Sequence, residues 1–279
     1  MRILILGGSG MLGHALLKTL QARHDVRVTL HRSTEYYRQW SLFHDGNSFG
    51  AVDLRSPARL AQVLDQFRPE AVVNCAGLVK QREDAKDALM NLEINTTAPH
   101  RIADLCRDVG ARLIHLSTDC VFSGRKGMYT EEDNADAEDL YGRAKFLGEP
   151  DAPHCLTLRT SFVGRELARK LGLLEWFLAQ SGPIRGFRRA IFSGFTTLEM
   201  SRVIEMLLTE FPDASGLYHV SSEPIDKYTL LKLFQDHFRR PVTITEDDSV
   251  AIDRSLDSSR FRRTFQYRPP EWPVMVEKL

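Results

Sequence analysis

Long apolar runs are missing from this 279-residue chain. None approaches the ~20 residues needed to cross a bilayer, so no membrane span is expected. Net charge is missing too: Lys plus Arg equals Asp plus Glu, at 37 each. That balance offers no electrostatic footprint to a nucleic acid polymer or an anionic membrane. Cysteine is sparse, confined to Cys75, Cys106, Cys120 and Cys155. None forms a CxxC pair and none stands at a zinc-site spacing with histidine, so no metal site is expected. Cys75, Cys120 and Cys155 lie in or beside apolar strand-like runs, where reduced cysteines pack as small hydrophobes. No signal peptide is expected either, because the strand-like Ile3-Leu4-Ile5-Leu6 leads at once into glycines. These absences together lead us to expect a cytoplasmic protein. There is no internal repeat, low-complexity linker or long charge run.

What is present is an alternation. Short, nearly continuous apolar runs at Arg2–Leu6, Val26–Leu30, Ala71–Cys75, Arg112–Ser117 and Cys155–Arg159 read as strands. Helical patterns fall between them at Leu12–Ala22, Pro57–Phe67, Asn95–Val109 and Tyr141–Gly148. Strands alternating with helices imply parallel pairing through right-handed crossovers. Beyond Arg159 the rhythm changes: Leu173–Gln180, Glu199–Phe211 and Lys227–Phe238 read as helices and Leu217–Ser221 as a strand. The expected fold is α/β, a Rossmann-type doubly wound parallel sheet with a smaller C-terminal substrate-binding lobe. Residues 1–165 would form the dinucleotide domain that carries the catalytic residues. Residues 166–279 would form most of the substrate lobe and share a core with the first part.

The first strand runs into Gly7-Gly8-Ser9-Gly10-Met11-Leu12-Gly13, and the first helix opens there. Two glycine frames fit, one starting at Gly7 and one at Gly8. Glycine permits the tight turn and lets backbone approach a pyrophosphate. The helix N-terminus adds unpaired N–H groups and a positive dipole end. The second strand ends in Leu30-His31-Arg32-Ser33, without the carboxylate that usually holds an NAD ribose. Arg32 can pair with a 2′-phosphate, and Ser33 can add a donor. That favours NADP, and Glu35 just beyond keeps NAD open.

Tyr141 and Lys145 stand four residues apart, on one face of a helix. A free phenol titrates near about 10 and is a poor proton donor at neutral pH. A nearby ammonium is expected to lower that value. Upstream, Leu113-Ile114-His115-Leu116 leads to Ser117 and Thr118 at a strand end. A hydroxyl there can donate to a carbonyl oxygen as charge develops on it. Thr118 is the first candidate and Ser117 its rival.

The glycine cradle, the run Ser117-Thr118-Asp119-Cys120-Val121-Phe122-Ser123-Gly124, the run Tyr141-Gly142-Arg143-Ala144-Lys145-Phe146-Leu147-Gly148-Glu149, and Leu158-Arg159-Thr160-Ser161 together resemble the extended short-chain dehydrogenase/reductases. Within them the chain is most similar to the dTDP-4-dehydrorhamnose reductases, strongly over residues 1 to about 165 and diffusely beyond. The resemblance implies a catalytic set of Thr118, Tyr141 and Lys145. It also implies Asp53 and Leu54 near an adenine, Cys75-Ala76-Gly77 along the dinucleotide, Asn95 supporting the site, Thr160 near the nicotinamide, and Val121 and Phe122 on the substrate side. Cys120 departs from the family's usual aromatic residue, and the segments 162–166 and 187–194 depart as well.

Arg185 and Arg188, with Arg189 and Arg254, are the arginine forks available for a diphosphate. The expected activity is NADPH-dependent reduction of the keto group of a nucleotide-activated deoxysugar. The partner is then the nucleotide sugar itself, and a homodimer is in keeping with extended members of the superfamily. A nucleotide-sugar epimerase holding NAD is a second reading, since it uses the same tyrosine. A dehydratase fits poorly, because Asp119 is followed by Cys120 where a second acid-base group would stand. A non-catalytic NADP-binding subunit is a third reading, because the beta subunit of methionine adenosyltransferase resembles the same reductases.

Overall fold

The computed structural model describes residues 1–79, 87–168 and 170–279. The chain opens with β1 (Arg2–Leu6), α1 (Met11–Leu20), β2 (Asp25–Thr29), α2 (Thr34–Tyr37), β3 (Ser48–Phe49), α3 (Pro57–Phe67) and β4 (Ala71–Asn74). It continues through α4 (Ala88–Leu92), a π turn at Glu93–Thr97, α5 (Ala98–Val109), β5 (Arg112–Thr118), α6 (Leu140–Leu147) and β6 (Cys155–Thr160). Then follow β7 (Phe162–Val163), α7 (Leu173–Leu178), β8 (Ile184–Phe187), β9 (Ala190–Phe192), β10 (Phe195–Thr196), α8 (Thr197–Thr209) and β11 (Gly216–His219). The last elements are β12 (Ile225–Asp226), α9 (Lys227–Phe238), β13 (Ile244–Asp247), β14 (Ile252–Asp253), α10 (Ser259–Thr264) and α11 (Trp272–Val276).

Side chains alternate across a strand, and β1 shows why this sheet is covered on both faces. Ile3 and Ile5 join one core with Leu16 and Leu17 of α1 and Ile204 and Leu207 of α8. Leu4 and Leu6 join the other with Leu60 and Val63 of α3 and Ile102 and Cys106 of α5. Seven strands pair in parallel in the order β11-β6-β5-β4-β1-β2-β3. The sheet is the expected doubly wound Rossmann type. Its chain order reverses between β1 and β4, and ligands of such sheets bind in the crevice beyond the strand ends there.

The helices stop where their local chemistry stops them. α3 starts with Pro57 in its first turn, where a missing N–H costs nothing, and ends at Arg68 in the left-handed region. α6 starts because the Asp139 carboxylate accepts from the Gly142 N–H at 3.0 Å.

Two features differ from the expectations. The strand foreseen within the small lobe, β11, lies in the large sheet beside β6, with Tyr218 opposite Leu158. Helix α8 likewise packs on α1. Residues on both sides of position 165 therefore build the central sheet and its cover, and the larger core runs from Ile3 through Leu207 to Met275. The helix foreseen over Asn95–Val109 is two pieces, a π turn followed by α5. The rest of the second half forms three small sheets, β10-β7, β12-β9-β14 and β13-β8. Among the described residues, no helix is long and apolar enough to cross a membrane.

Candidate active site

The turn between β1 and α1 is built around backbone. Gly7 has φ +82°, a conformation that side chains disfavour. A Cβ on Gly13 would lie 2.2 Å from the Gly7 carbonyl oxygen, and one on Gly8 would lie 2.4 Å from the Val28 Cβ. Any side chain at either position would push α1 off the sheet. Gly10 caps α1 without a side-chain hydrogen bond, so first-turn N–H groups keep their donor capacity. Ser9 and Met11 are half-buried at this turn, whereas Leu12 is buried in the core and can offer only its backbone. A Cβ on Gly7 would also come within 3.0 Å of Ala76, so the segment Cys75-Ala76-Gly77 runs alongside the glycine turn. The residues present fit a dinucleotide pyrophosphate.

His31, Arg32 and Ser33 are exposed beyond the end of β2. The Arg32 guanidinium stacks 4.4 Å over the Tyr36 ring, and Arg32 forms no ion pair among the described residues. Ser33 caps α2 by accepting from the Tyr36 N–H at 3.4 Å. Asp53 receives the Arg55 guanidinium, with Nη2 at 2.6 Å, and that hydrogen bond holds its carboxyl below the usual range. It does not cap α3, whose N-cap is Ser56. Leu54 beside it is half-buried against the second core.

At the C-terminal end of β5, the Thr118 hydroxyl lies within hydrogen-bonding reach of the Tyr141 phenol. Thr118 also donates to Asp119 Oδ1 at 3.1 Å and accepts from the Cys120 N–H at 3.1 Å. One turn after Tyr141, Lys145 Nζ donates to the Leu116 carbonyl at 2.7 Å and is buried. Burial pulls its pKa down to about 8, against the Glu149 carboxylate and the Cys75 thiol, which pull upward. Burial, with the neighbouring Cys120, pushes the Tyr141 phenol above its ordinary value, and the Thr118 hydrogen bond opposes that. The expectation that Lys145 itself lowers the phenol pKa is therefore corrected. Its ammonium is turned to backbone, and desolvation dominates at Tyr141.

Asn95 holds the neighbouring loop. Its amide oxygen accepts from the Leu78 N–H at 3.0 Å, and its amide nitrogen donates to the Leu78 carbonyl at 3.0 Å. The π turn carries this fully buried side chain inward. Asn95 thus shapes the loop after β4, with both of its amide N–H groups engaged, by the Leu78 carbonyl and by Asn91 Oδ1. Burial pushes the Cys75 thiol up and keeps it neutral. Thr160 is buried at the end of β6 and donates to the Ser161 carbonyl at 3.3 Å.

Four substrate-side expectations are corrected. Val121 and Phe122 are both 0% exposed. Phe122 stacks on Tyr129 at 4.2 Å, so these side chains form a satellite core that braces the site from behind. Arg185 pairs with Asp247 at 3.1 Å. Arg188 pairs with Glu246 at 2.7 Å and Asp248 at 2.6 Å. These arginines tie β8 and its following turn to β13, and their charge is already compensated. Arg254 is the arginine that reaches the site: its Nε donates to the Phe122 carbonyl at 2.7 Å, and its charge acts on Asp119 and Cys120. Lys227 also acts on Asp119. Among the described residues, no group of three or more His, Cys, Asp or Glu is arranged to hold a metal.

Behind β5 lies a polar network that the spacing did not foretell. Ser117 donates to Glu149 Oε1 at 2.5 Å, and Arg159 clasps both Glu149 oxygens at 2.8 Å. Arg159 Nη1 also donates to His219 Nε2 at 3.3 Å, which leaves Nδ1 as the donor to the Tyr129 carbonyl at 2.9 Å. Burial and the Arg159 charge pull the His219 pKa down to about 4. The unfolded histidine titrates near about 6.5, so between those values the unfolded chain binds the extra proton. Stability is then complete above about pH 6.5 and falls as pH drops toward 4, by about 3 kcal/mol from this group. Denaturant unfolding across that window checks it, and a His219→Gln variant should flatten the slope.

The family model described as the RmlD substrate binding domain matches residues 1–278. The dTDP-4-dehydrorhamnose reductase of Escherichia coli (strain K12) is 26% identical over 100% of this chain and 97% of its own. The methionine adenosyltransferase 2 subunit beta of Bos taurus is 30% identical over 99% of this chain and 89% of its own. The dTDP-4-dehydrorhamnose reductase from Bacillus anthracis, solved in complex with NADP, superposes with a TM-score of 0.81 at 21% identity, covering 99% of this chain and 97% of that one. With the model spanning the chain from its first strand to its last helix, this protein belongs to the RmlD substrate binding domain family.

Proposed function

We propose that this protein reduces the keto group of a nucleotide-activated deoxysugar with NADPH, as a dTDP-4-dehydrorhamnose reductase-like enzyme. The observation that carries this reading is Thr118 meeting Tyr141 at the C-terminal edge of the sheet, with buried Lys145 one helical turn behind. The named relatives are consistent with it. The backbone of Gly7, Ser9, Gly10, Met11, Leu12 and Gly13 would hold the pyrophosphate. Arg32, with His31 and Ser33, would hold a 2′-phosphate, and Asp53, Leu54, Cys75, Ala76, Gly77 and Thr160 would line the rest of the cofactor. When bound, NADPH supplies a hydride.

The chain's own residues do the remainder. Thr118 donates a hydrogen bond to the carbonyl oxygen and stabilises the charge that develops on it. Tyr141 delivers its phenolic proton to the same oxygen. Burial keeps the phenol protonated at neutral pH, so the proton is in place when the carbonyl arrives. The same burial makes the phenol a weaker acid that depends on the Thr118 hydrogen bond and on the charge developing on the carbonyl oxygen. Lys145, kept near the crevice by the Leu116 carbonyl, can supply an N–H to a ribose hydroxyl. Arg254 would face the phosphates of the sugar nucleotide. Residues 1–165 would carry cofactor and catalysis, and residues 166–279 would supply most of the substrate contacts, with the central sheet common to both.

Arg32→Ala tests the cofactor assignment. Calorimetric titration is expected to show NADPH binding weakened by about 10- to 100-fold, the worth of charge-assisted bonds, with NADH binding nearly unchanged. Equal loss for both cofactors would remove Arg32 from the 2′-phosphate site. NADPH oxidation with a panel of 4-keto sugar nucleotides tests the activity. No turnover together with a copurifying enzyme would favour the regulatory-subunit reading, which the bovine relative makes concrete.

A further inference from the structure

The end of α6 is fastened to the end of β5 by two adjacent clamps. Lys145 Nζ donates to the Leu116 carbonyl at 2.7 Å, and the next residue of β5, Ser117, donates to Glu149 at 2.5 Å. Leu116 and Ser117 are consecutive residues of β5, so Lys145 on α6 and Glu149 just past its C-cap meet the same strand end. Gly148 between them sits so tightly that a Cβ there would lie 1.9 Å from the Asn95 carbonyl oxygen. Arg159 on β6 grips both oxygens of Glu149, and only 3% of the Arg159 side chain and 10% of the Glu149 side chain are exposed. Such a pair is poor at adding stability, because desolvating two charges offsets their attraction. Its placement behind Thr118, Tyr141 and Lys145 points to another use.

We propose that Glu149, held by Arg159 and Ser117, is a positioning residue that keeps buried Lys145 in its ammonium form and sets α6 in register with β5, so that Tyr141 faces Thr118. Burial alone works against a charged Lys145. The groups around it leave few sources of compensation. The Cys75 thiol is kept neutral by burial, and His115 on β5 is kept neutral by burial and by Lys145 itself. His100 on α5, whose ring nitrogen meets the Leu147 carbonyl at 2.8 Å, supplies no negative charge. Tyr141 on the same helix is neutral, with its phenol pushed up. Arg159 carries the opposite sign and is bound to Glu149. That leaves the Glu149 carboxylate as the negative charge acting on Lys145, with Cys75 a lesser influence.

The role of Lys145 in catalysis rests on the reductase reading, but its titration does not. The test is therefore an NMR titration of protein labelled at lysine Cε, without cofactor or substrate, with the Lys145 signal identified by its loss in Lys145→Met. In Glu149→Gln the Lys145 midpoint should fall by about one unit or more, because the compensating charge is gone. In Arg159→Met it should rise, because a like charge is removed and the carboxylate is freed for Lys145. A merely structural role would loosen the site in both variants, admit water and raise both midpoints. Shifts of the same sign, or no shift, overturn the proposal. If Glu149→Gln does not fold, the double variant Glu149→Gln/Arg159→Met leaves no unpartnered Arg159 behind. Its midpoint should still lie below that of the unaltered protein, and an unmoved midpoint overturns the proposal. In active protein the alkaline limb of the pH–rate profile should move with the NMR midpoint. Absence of any reductase activity would remove the functional reading and leave the titration result standing.

Discussion

Replacing Tyr141 by Phe is expected to lower turnover by about 10²- to 10⁴-fold, the usual worth of a positioned proton donor. NADPH binding should stay within about twofold, because in the proposed reading the pyrophosphate and 2′-phosphate are held by the glycine turn and Arg32 rather than by Tyr141. The fold should survive. Thr118 keeps its bonds to Asp119 and to the Cys120 N–H when the phenol is gone, and Asp139 still caps α6 through Gly142. The loss should appear in kcat rather than in binding, since the proton moves only as the carbonyl is reduced. Steady-state NADPH oxidation beside calorimetric NADPH titration separates the two quantities. Turnover retained within tenfold would move the acid role to another group, and the half-buried Asp119, whose carboxyl is pushed up by desolvation, stands next in line.

Arg159→Met is expected to lower folding stability by about 3–5 kcal/mol, the cost of stranding a buried charge. The Glu149 carboxylate would keep its bond from Ser117 but lose both from Arg159. The guanidinium carbon of Arg159 also lies 5.3 Å from the Phe122 ring centre and 5.8 Å from that of Phe146, so the variant loses these cation–π contacts as well as the ion pair. The double variant Glu149→Gln/Arg159→Met should recover most of the loss, because neither member of the ion pair is then left without its partner and Lys145 can shed its proton. Urea unfolding of the two single variants and the double variant gives the coupling directly. A single variant as stable as the parent would mean that water reaches Glu149 despite its burial.

Strands β1, β5 and β6 are readable in the sequence because each spans five to seven largely apolar residues beside periodic helices. Arg2–Leu6, Pro57–Phe67 and Lys227–Phe238 are where the pattern predicts them. The strands β7 to β10 and β12 to β14 span only two to four residues, too short for any period to register. β11 was visible as a strand but not as a member of the large sheet, because its partner β6 lies some sixty residues away and only tertiary pairing joins them.

The candidate site shows the same division. The glycine turn and the Tyr141–Lys145 pair are local patterns, and short spacings expose them. Arg185 and Arg188 share their sequence signature with Arg254, and only the fold separates those neutralised by β13 from the one beside Asp119. Glu149 and Arg159 look like ordinary surface charges in the sequence. Their burial follows from α6 ending against β5 and β6.

The late arrival of β11 has a consequence during synthesis. β6 ends at Thr160, but the strand that covers its open edge is not complete until His219. At about 5–20 residues per second, a growing chain displays that edge for roughly 3–12 seconds. An unpaired, apolar parallel strand is a template for pairing with another chain. Expression that stalls or terminates between these two points should yield insoluble fragments, and a gene split near residue 165 should yield two halves that neither fold apart nor assemble readily when mixed.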